Sequence, residues 1–221
     1  MSGASRLVLW RHGRTAWNAA GRFQGQLDPP LDDVGRQQAA AAAAALVTSF
    51  ALTGDDAVVV SSDLSRAADT AAALGARLDR PVTLDARLRE HDLGSWQGLS
   101  RAEVAQRLPE QFAEWQAGRA VEGRGGEHPD AVAARALSLV DDLPVVRVAV
   151  LVAHGGVLGR LLEALLQLGP GQRRLLGPLD NGAWSELVSH GERWRLLRHN
   201  VAAPGAGPAG PAAPQDADVV R

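Results

Sequence analysis

Two apolar runs in this chain end in the same way. Leu7 to Trp10 leads straight into Arg11-His12-Gly13, and a second run through Ala153 leads into His154-Gly155-Gly156. Unbroken apolar runs of this length read as strands covered on both faces, as in a parallel sheet. Such sheets take their ligands at the carboxyl ends of the strands, where both histidines fall. A glycine just past the strand permits a tight turn. In the first run Arg11 and Arg14 flank His12, and two cations beside an imidazole disfavour its protonated form unless an anion lies between them. Phosphate is the obvious candidate.

Composition narrows the chemistry. The 221 residues can bury one sizeable core, so one domain is expected over residues 1–201. Cysteine is absent, which removes disulfides, thiolate chemistry and Cys-based zinc sites. All 23 basic residues are Arg, so Schiff-base chemistry and a Walker-type phosphate loop are excluded. Any phosphate must then be held by Arg, His, Asn and backbone amides. The net charge of −2 provides no basic field for nucleic acid. No stretch approaches a membrane span and the N-terminus lacks the pattern of a signal peptide, so a cytoplasmic protein without nucleic-acid or membrane partners is expected.

Along the chain, strand, turn and helix repeat. After "GRFQGQLDPPLDD", a loop by its Gly, Asp and Pro content, Asp32 or Asp33 is placed to cap a helix from Val34 to about Phe50. Its seven consecutive alanines favour helix and allow close packing. Ala57–Val60 reads as a second buried strand, with Asp63 capping a helix that runs to about Leu78, and "PVTL" as a short third strand. Ser100 and Glu103 form a capping box for a helix to Leu108. Pro109 to Pro129 reads as a helical excursion with a flexible "EGRGGEHP" segment able to cover a site. A helix from about Pro129 to Asp142 precedes the strand that ends at Ala153. "NGAWSELVSH" and "ERWRLLRHN" read as two closing strands, whose free edge could pair two copies of the chain. Residues 202–221, rich in Pro, Gly and Ala, are expected to be a disordered tail.

Four features fall where an open α/β sheet exposes its crevice: Arg11-His12-Gly13, Arg66 in the turn after "VVVSSD", Glu90 after "LR", and His154-Gly155. Each alone has a bland reading, since a strand-end His is more often structural and an Arg on a helix is usually solvated. Their convergence points to a shared site. His91, His190 and His199 show no metal-site spacing, and no metal or other cofactor is expected.

The stretches "LVLWRHGRTAWNAAGRFQGQLDPPLDDVGRQQA", "VVSSDLSRAADTA", "LREHDLGSWQG" and "VLVAHGGVL", in this order, resemble the histidine phosphatase superfamily in its phosphoglycerate mutase-like branch. The resemblance implies an α/β fold, a three-layer α/β/α sandwich with a mixed, mostly parallel sheet. It implies that His12 is the nucleophile, carried as a phosphohistidine, that Arg11, Arg66 and His154 bind the phosphoryl oxygens, and that Glu90 is the proton donor. Asn18 and the backbone at Gly155 are similarly implied as phosphate contacts. Arg14, Thr15, Gln24 and Gly25 complete the expected substrate-binding set, Arg14 adding positive charge at the mouth where the family commonly has Glu. "GGEHP" carries His128 where the family has Ser, which removes support for Glu127 as a substrate contact. Trp17, Trp96 and Trp115 are read as packing residues.

The chemistry is consistent with those roles. A neutral imidazole attacks without first losing a proton, and two guanidiniums can disperse charge on the equatorial oxygens without a metal. The expected activity is hydrolysis of a small phosphomonoester, of sugar or glycerate type. A phosphoglycerate mutase is the first alternative, disfavoured because "GSWQGLS" stands where mutases carry "GLNK". A phosphate-binding module without catalysis is the second.

Overall fold

A computed structural model describes residues 3–169, 172–191 and 193–204; the expected tail lies outside the described residues from residue 205 onward. The apolar alternation along two strands sets the architecture. In β1 (Ala4–Arg11), Leu7 and Leu9 face one core while Val8 and Trp10 face another. In β4 (Val146–Ala153), Ala149, Leu151 and Ala153 join the first core, and Val148, Val150 and Val152 the second. A strand that is apolar on both faces needs helices above and below it.

Those helices are present. Helices α2 (Asp33–Phe50) and α3 (Ser65–Leu78) cover one face through Ala42, Ala43, Leu46, Ala67, Ala71 and Leu74. Helices α6 (Pro129–Asp141) and α7 (Gly155–Leu165) cover the other through Val132, Leu139, Val157, Leu158 and Leu161. The short side chains of the polyalanine run serve close packing of α2 against α3. With β2 (Ala57–Ser61), β3 (Thr83–Leu84), β5 (Trp184–His190) and β6 (Arg193–Val201), the sheet order is β3-β2-β4-β1-β5-β6. The pairs β3/β2, β2/β4 and β4/β1 are parallel, and β1/β5 and β5/β6 antiparallel. This is the expected three-layer sandwich with a mixed, mostly parallel sheet. Among the described residues, no helix is long and apolar enough to cross a membrane.

The remaining helices are short: α1 (Ala16–Ala19), α4 (Arg101–Arg107) and α5 (Pro109–Gln116). Phe23, Trp96, Val104 and Trp115 form a third, separate core beneath the last two, so Trp96 and Trp115 are packing residues. Trp17 is half-buried.

The starts of α2 and α4 follow local rules, and that of α3 does not. Asp32 caps α2 by accepting from Gly35 N at 2.8 Å, and the Ser100–Glu103 capping box forms. Asp63 does not cap α3. Its carboxylate instead holds both Nε and Nη2 of Arg89, a bidentate pair that outweighs a single capping bond. The donor at Ser65 N goes to Asp28, 37 residues earlier, at 2.9 Å.

The "EGRGGEHP" segment also departs from expectation. It is tied down: Ser95 N donates to Arg124 O at 2.9 Å and Glu127 N to Asp92 O at 3.1 Å. Arg135 grips the Glu127 carboxylate with two bonds, and His128 caps α6 by accepting from Asp130 N.

Candidate active site

The parallel register pairs Arg11 with Ala153, so the two His-Gly turns leave the sheet side by side. His12 N donates to Ala153 O at 3.0 Å, and the His12 and His154 rings lie 5.0 Å apart. The turn after His12 is pressed onto α2. A Cβ on Gly13 would stand 2.2 Å from Gly35 O, and one on Gly35 would stand 2.0 Å from Arg14 O. Only a glycine at each position lets the backbones come so close.

The ring of His12 is locked in one tautomer. Its Nδ1 lies 2.6 Å from Gly13 O, and a carbonyl oxygen only accepts, so Nδ1 carries the proton and Nε2 the lone pair. Burial and the charges of Arg66 and Arg11 hold its pKa well below the ordinary 6.5. The imidazole is therefore neutral, with its lone pair on Nε2.

Arg66 is fully buried at the start of α3. Its Nη1 and Nη2 donate to Leu27 O and Gly25 O, each at 2.8 Å, and its Nε donates to His154 Nδ1 at 3.2 Å. Burial lowers its pKa to about 10, which leaves it cationic at neutral pH. Because His154 Nδ1 accepts, Nε2 must carry the ring proton, and it faces Ser62 Oγ at 2.9 Å. His154 is thus neutral, its pKa depressed first by burial and then by Arg66. Both ring nitrogens are spent on protein groups. Arg11 is buried as well; its Nη1 donates to Leu179 O, and its guanidinium packs against Gly155.

Glu90 closes the other side. Its Oε1 accepts from His91 N at 2.8 Å and Val157 N at 2.9 Å, and its Oε2 accepts from Gly156 N at 2.9 Å. The carboxylate therefore caps the N-terminus of α7, where orphan N–H groups and the helix dipole favour negative charge. A Cβ on Gly156 would lie 2.6 Å from Glu90 Oε1, so the glycine makes room for it.

The expected binding residues divide into two kinds. Asn18 and Gln24 have their amide oxygens held within the protein. The carbonyl ends of both turn toward Thr15: Thr15 N and Oγ1 lie 3.0 Å from Asn18 Oδ1, and Oγ1 lies 3.1 Å from Gln24 Oε1. Gln24 Nε2 is buried with no hydrogen-bond partner among the described residues. Thr15, Arg14 and Gly25 are support instead. Thr15 is fully buried and its hydroxyl is used internally. Arg14 Nε pairs with Asp32 at 2.8 Å, which offsets the charge expected at the mouth, and Gly25 contributes its carbonyl to Arg66.

Four further residues were not singled out from the sequence. Asn181 Nδ2 donates to His12 O at 3.1 Å and to Asn18 Oδ1 at 3.3 Å. Ser62 orients His154, Arg135 Nη2 donates to Glu90 O at 3.1 Å, and Gln26 Nε2 reaches the same carbonyl at 3.2 Å. The sequence reads Asn181 only as the start of the closing strand "NGAWSELVSH", so no local signal marked it. Among the described residues, no three His, Asp or Glu side chains converge to hold a metal ion.

The family model described as the histidine phosphatase superfamily, branch 1, matches residues 7–202. The chain belongs to the histidine phosphatase superfamily. This histidine phosphatase is 42% identical, over 219 aligned positions covering 90% of this chain and 95% of the relative, to a glucosyl-3-phosphoglycerate phosphatase of Mycolicibacterium vanbaalenii. It is 37% identical over 200 positions, 87% of this chain and 80% of the relative, to a metal-independent phosphoserine phosphatase of Arabidopsis thaliana. Among solved structures it resembles a mycobacterial glucosyl-3-phosphoglycerate phosphatase in complex with vanadate. There the TM-score is 0.80 at 41% identity, with 90% of this chain and all of the other covered. Like these relatives, the histidine phosphatase is a phosphoric monoester hydrolase.

Proposed function

We propose that His12 is the nucleophile of a two-step hydrolysis, and the observation that carries this reading is its locked tautomer. With Nδ1–H held by Gly13 O, the Nε2 lone pair is the reactive atom, set in a pocket with the buried guanidiniums of Arg11 and Arg66. Nε2 attacks phosphorus in line, an N–P bond forms, and the ester P–O bond breaks. Arg11, Arg66 and the Nδ2 and Nε2 groups of Asn18 and Gln24 supply donors to the equatorial oxygens. The unpartnered Gln24 Nε2 suits this role, because a buried amide without an acceptor is costly until an anion arrives.

Glu90 protonates the leaving alkoxide. Its Oε1 already takes two backbone donors and Oε2 only one, so Oε2 is the oxygen with room for the proton. In the second step water loses a proton to the same oxygen, attacks phosphorus and releases inorganic phosphate from Nε2. His154, with both nitrogens engaged, acts by holding the Arg66 guanidinium in place. The Gly155 N–H at the head of α7 remains for the phosphoryl group.

The substrate proposed is a glucosyl-phosphoglycerate, which the named activity of the mycobacterial relatives supports. Rapid-quench experiments with that ester carrying labelled phosphate test the mechanism. An acid-labile, base-stable phosphoenzyme is expected, absent in His12→Ala, and decaying to inorganic phosphate. Turnover without a phosphoenzyme would remove the nucleophile; a phosphoenzyme that passes its label to a second alcohol would make the protein a mutase; tight vanadate binding without label would make it a binding module.

A further inference from the structure

Arg124 is a buried cation without an ion-pair partner among the described residues. It is 6% exposed, yet no carboxylate among the described residues lies within ion-pair distance of it, whereas Arg89, Arg135 and Arg147 each pair with one. Its Nε is buried without a hydrogen-bond partner among the described residues. Its Nη2 stands 3.0 Å from His91 Nε2, but that nitrogen also lies 2.7 Å from Glu127 O. The carbonyl only accepts, so His91 Nε2 carries a proton toward it and has no lone pair for Arg124. The whole Nε–Nη2 edge of the guanidinium therefore lacks an acceptor. That edge is the fork that takes a carboxylate in two parallel bonds.

The fork is rigidly placed, and its 3.0 Å approach to His91 sets it beside the residue that follows the proposed acid Glu90. The guanidinium lies over the Trp96 ring at 5.5 Å, and Arg124 O is fixed by Ser95 N. Gly123, Gly125 and Gly126 around it all have positive φ, and a Cβ on Gly126 would stand 2.2 Å from Asp92 O, so the segment is packed tightly in one course. His91, its neighbour, directly follows the proposed acid Glu90, and Glu90 caps α7. Arg160, one turn after Gly156 on α7, is near enough to add its field, and Asp92 is the acid that opposes it. Burial lowers the pKa of Arg124, as expected of a cation awaiting a partner.

We propose that Arg124 binds a carboxylate carried by the leaving group of the substrate, so that the site selects phosphate esters of hydroxy acids over esters of neutral alcohols. This rests on the phosphatase reading above and assigns one of its specificity contacts. An unpaired buried guanidinium is unfavourable in the free protein, and the favourable pairing is realised only with an acid-bearing ester.

The test compares D-3-phosphoglycerate with glycerol 3-phosphate, which carries a hydroxymethyl group in place of the carboxylate, on the full chain and its Arg124→Gln and Arg124→Lys variants. For Arg124→Gln, KM for 3-phosphoglycerate should rise roughly 10–100-fold, the worth of one bidentate charged contact, with kcat little changed. Glycerol 3-phosphate should be unaffected, and Arg124→Lys should recover part of the loss. Calorimetric binding of the same two esters reads the split without turnover, and an unchanged affinity for inorganic phosphate shows that the variants are folded. Equal losses on both esters, or none on either, would overturn the proposal. A wild-type protein that hydrolyses neither of these esters nor the glucosyl-phosphoglycerate overturns the phosphatase reading, while the calorimetric comparison still decides on Arg124.

Discussion

Arg66 Nε donates to His154 Nδ1 at 3.2 Å, so a buried guanidinium and a buried imidazole share a hydrogen bond that exists only while the imidazole is neutral. Protonation of His154 would set two cations against each other inside the protein. The His12 ring, 5.0 Å away, faces the same penalty from Arg66 and Arg11.

Stability should therefore fall as pH drops below the ordinary histidine range. His12 and His154 have folded pKa values well below 6.5, and burial lowers that of His91 too. Between those values and 6.5 the unfolded chain binds more protons than the folded one, so acid favours unfolding. Each such histidine adds a slope approaching ~1.4 kcal/mol per pH unit. Urea unfolding followed from about pH 7.5 to about pH 5.5 should show a plateau and then a decline, with the decline shallower by about one proton in His12→Asn. A flat profile would mean that the rings charge freely in the native state.

Thr15 should control affinity without touching substrate. Its hydroxyl and backbone N–H fix the carbonyl ends of Asn18 and Gln24, which leaves their NH₂ groups for the phosphate contacts proposed above. In Thr15→Val the hydroxyl is gone and the Gln24 amide can flip, presenting an oxygen to phosphate, while Thr15 N–H and Asn181 still hold Asn18 Oδ1. The inhibition constant for vanadate should rise about 10–100-fold, the scale of one or two hydrogen bonds to a charged group, and Thr15→Ser should restore it. A loss in Thr15→Ser as large as in Thr15→Val would point to packing of the methyl group instead.

The parts of the site legible in the sequence are those set by backbone-local pattern. His12 and His154 stand at strand ends, Arg66 sits in the turn after a strand, and Glu90 lies after "LR" at the start of the loop that follows the third strand. What could not be read depends on pairings across the chain. Asn181 meets His12 O across 169 residues and Arg135 meets Glu90 O across 45. Asp63 shows the converse: the capping rule is local and correct for its residue type, but Arg89 offers the carboxylate a stronger partner. The "EGRGGEHP" segment looks loose because glycine is permissive, yet its positive-φ glycines are what let it pack against Asp92 and Gly94.

Gly35 should link stability to activity. A Cβ there would stand 2.0 Å from Arg14 O, backbone against backbone, with no side chain able to yield. Gly35→Ala must push α2 from the turn that carries His12, at a cost of about 2–4 kcal/mol. Denaturant unfolding should show that loss, and kcat/KM should fall with it because Gly13 and Arg14 move. Unchanged stability would mean that the two backbones lie further apart than described.

Glu90 and His12 can be separated by leaving group. His12→Ala should abolish phosphoenzyme formation with every ester, since no other nucleophile is placed to attack. Glu90→Gln keeps the shape at the head of α7 but provides no acidic proton for the alkoxide, a contribution of roughly 10²–10⁴-fold where one is needed. A p-nitrophenyl ester departs as a stable anion and should keep most of its phosphorylation rate, while an alkyl ester such as a phosphoglycerate should lose nearly all of it. Single-turnover rates on the two esters make the comparison directly. Equal losses on both would show that Glu90 serves only to cap α7 through Gly156 and Val157, and that the leaving alkoxide takes its proton from another group.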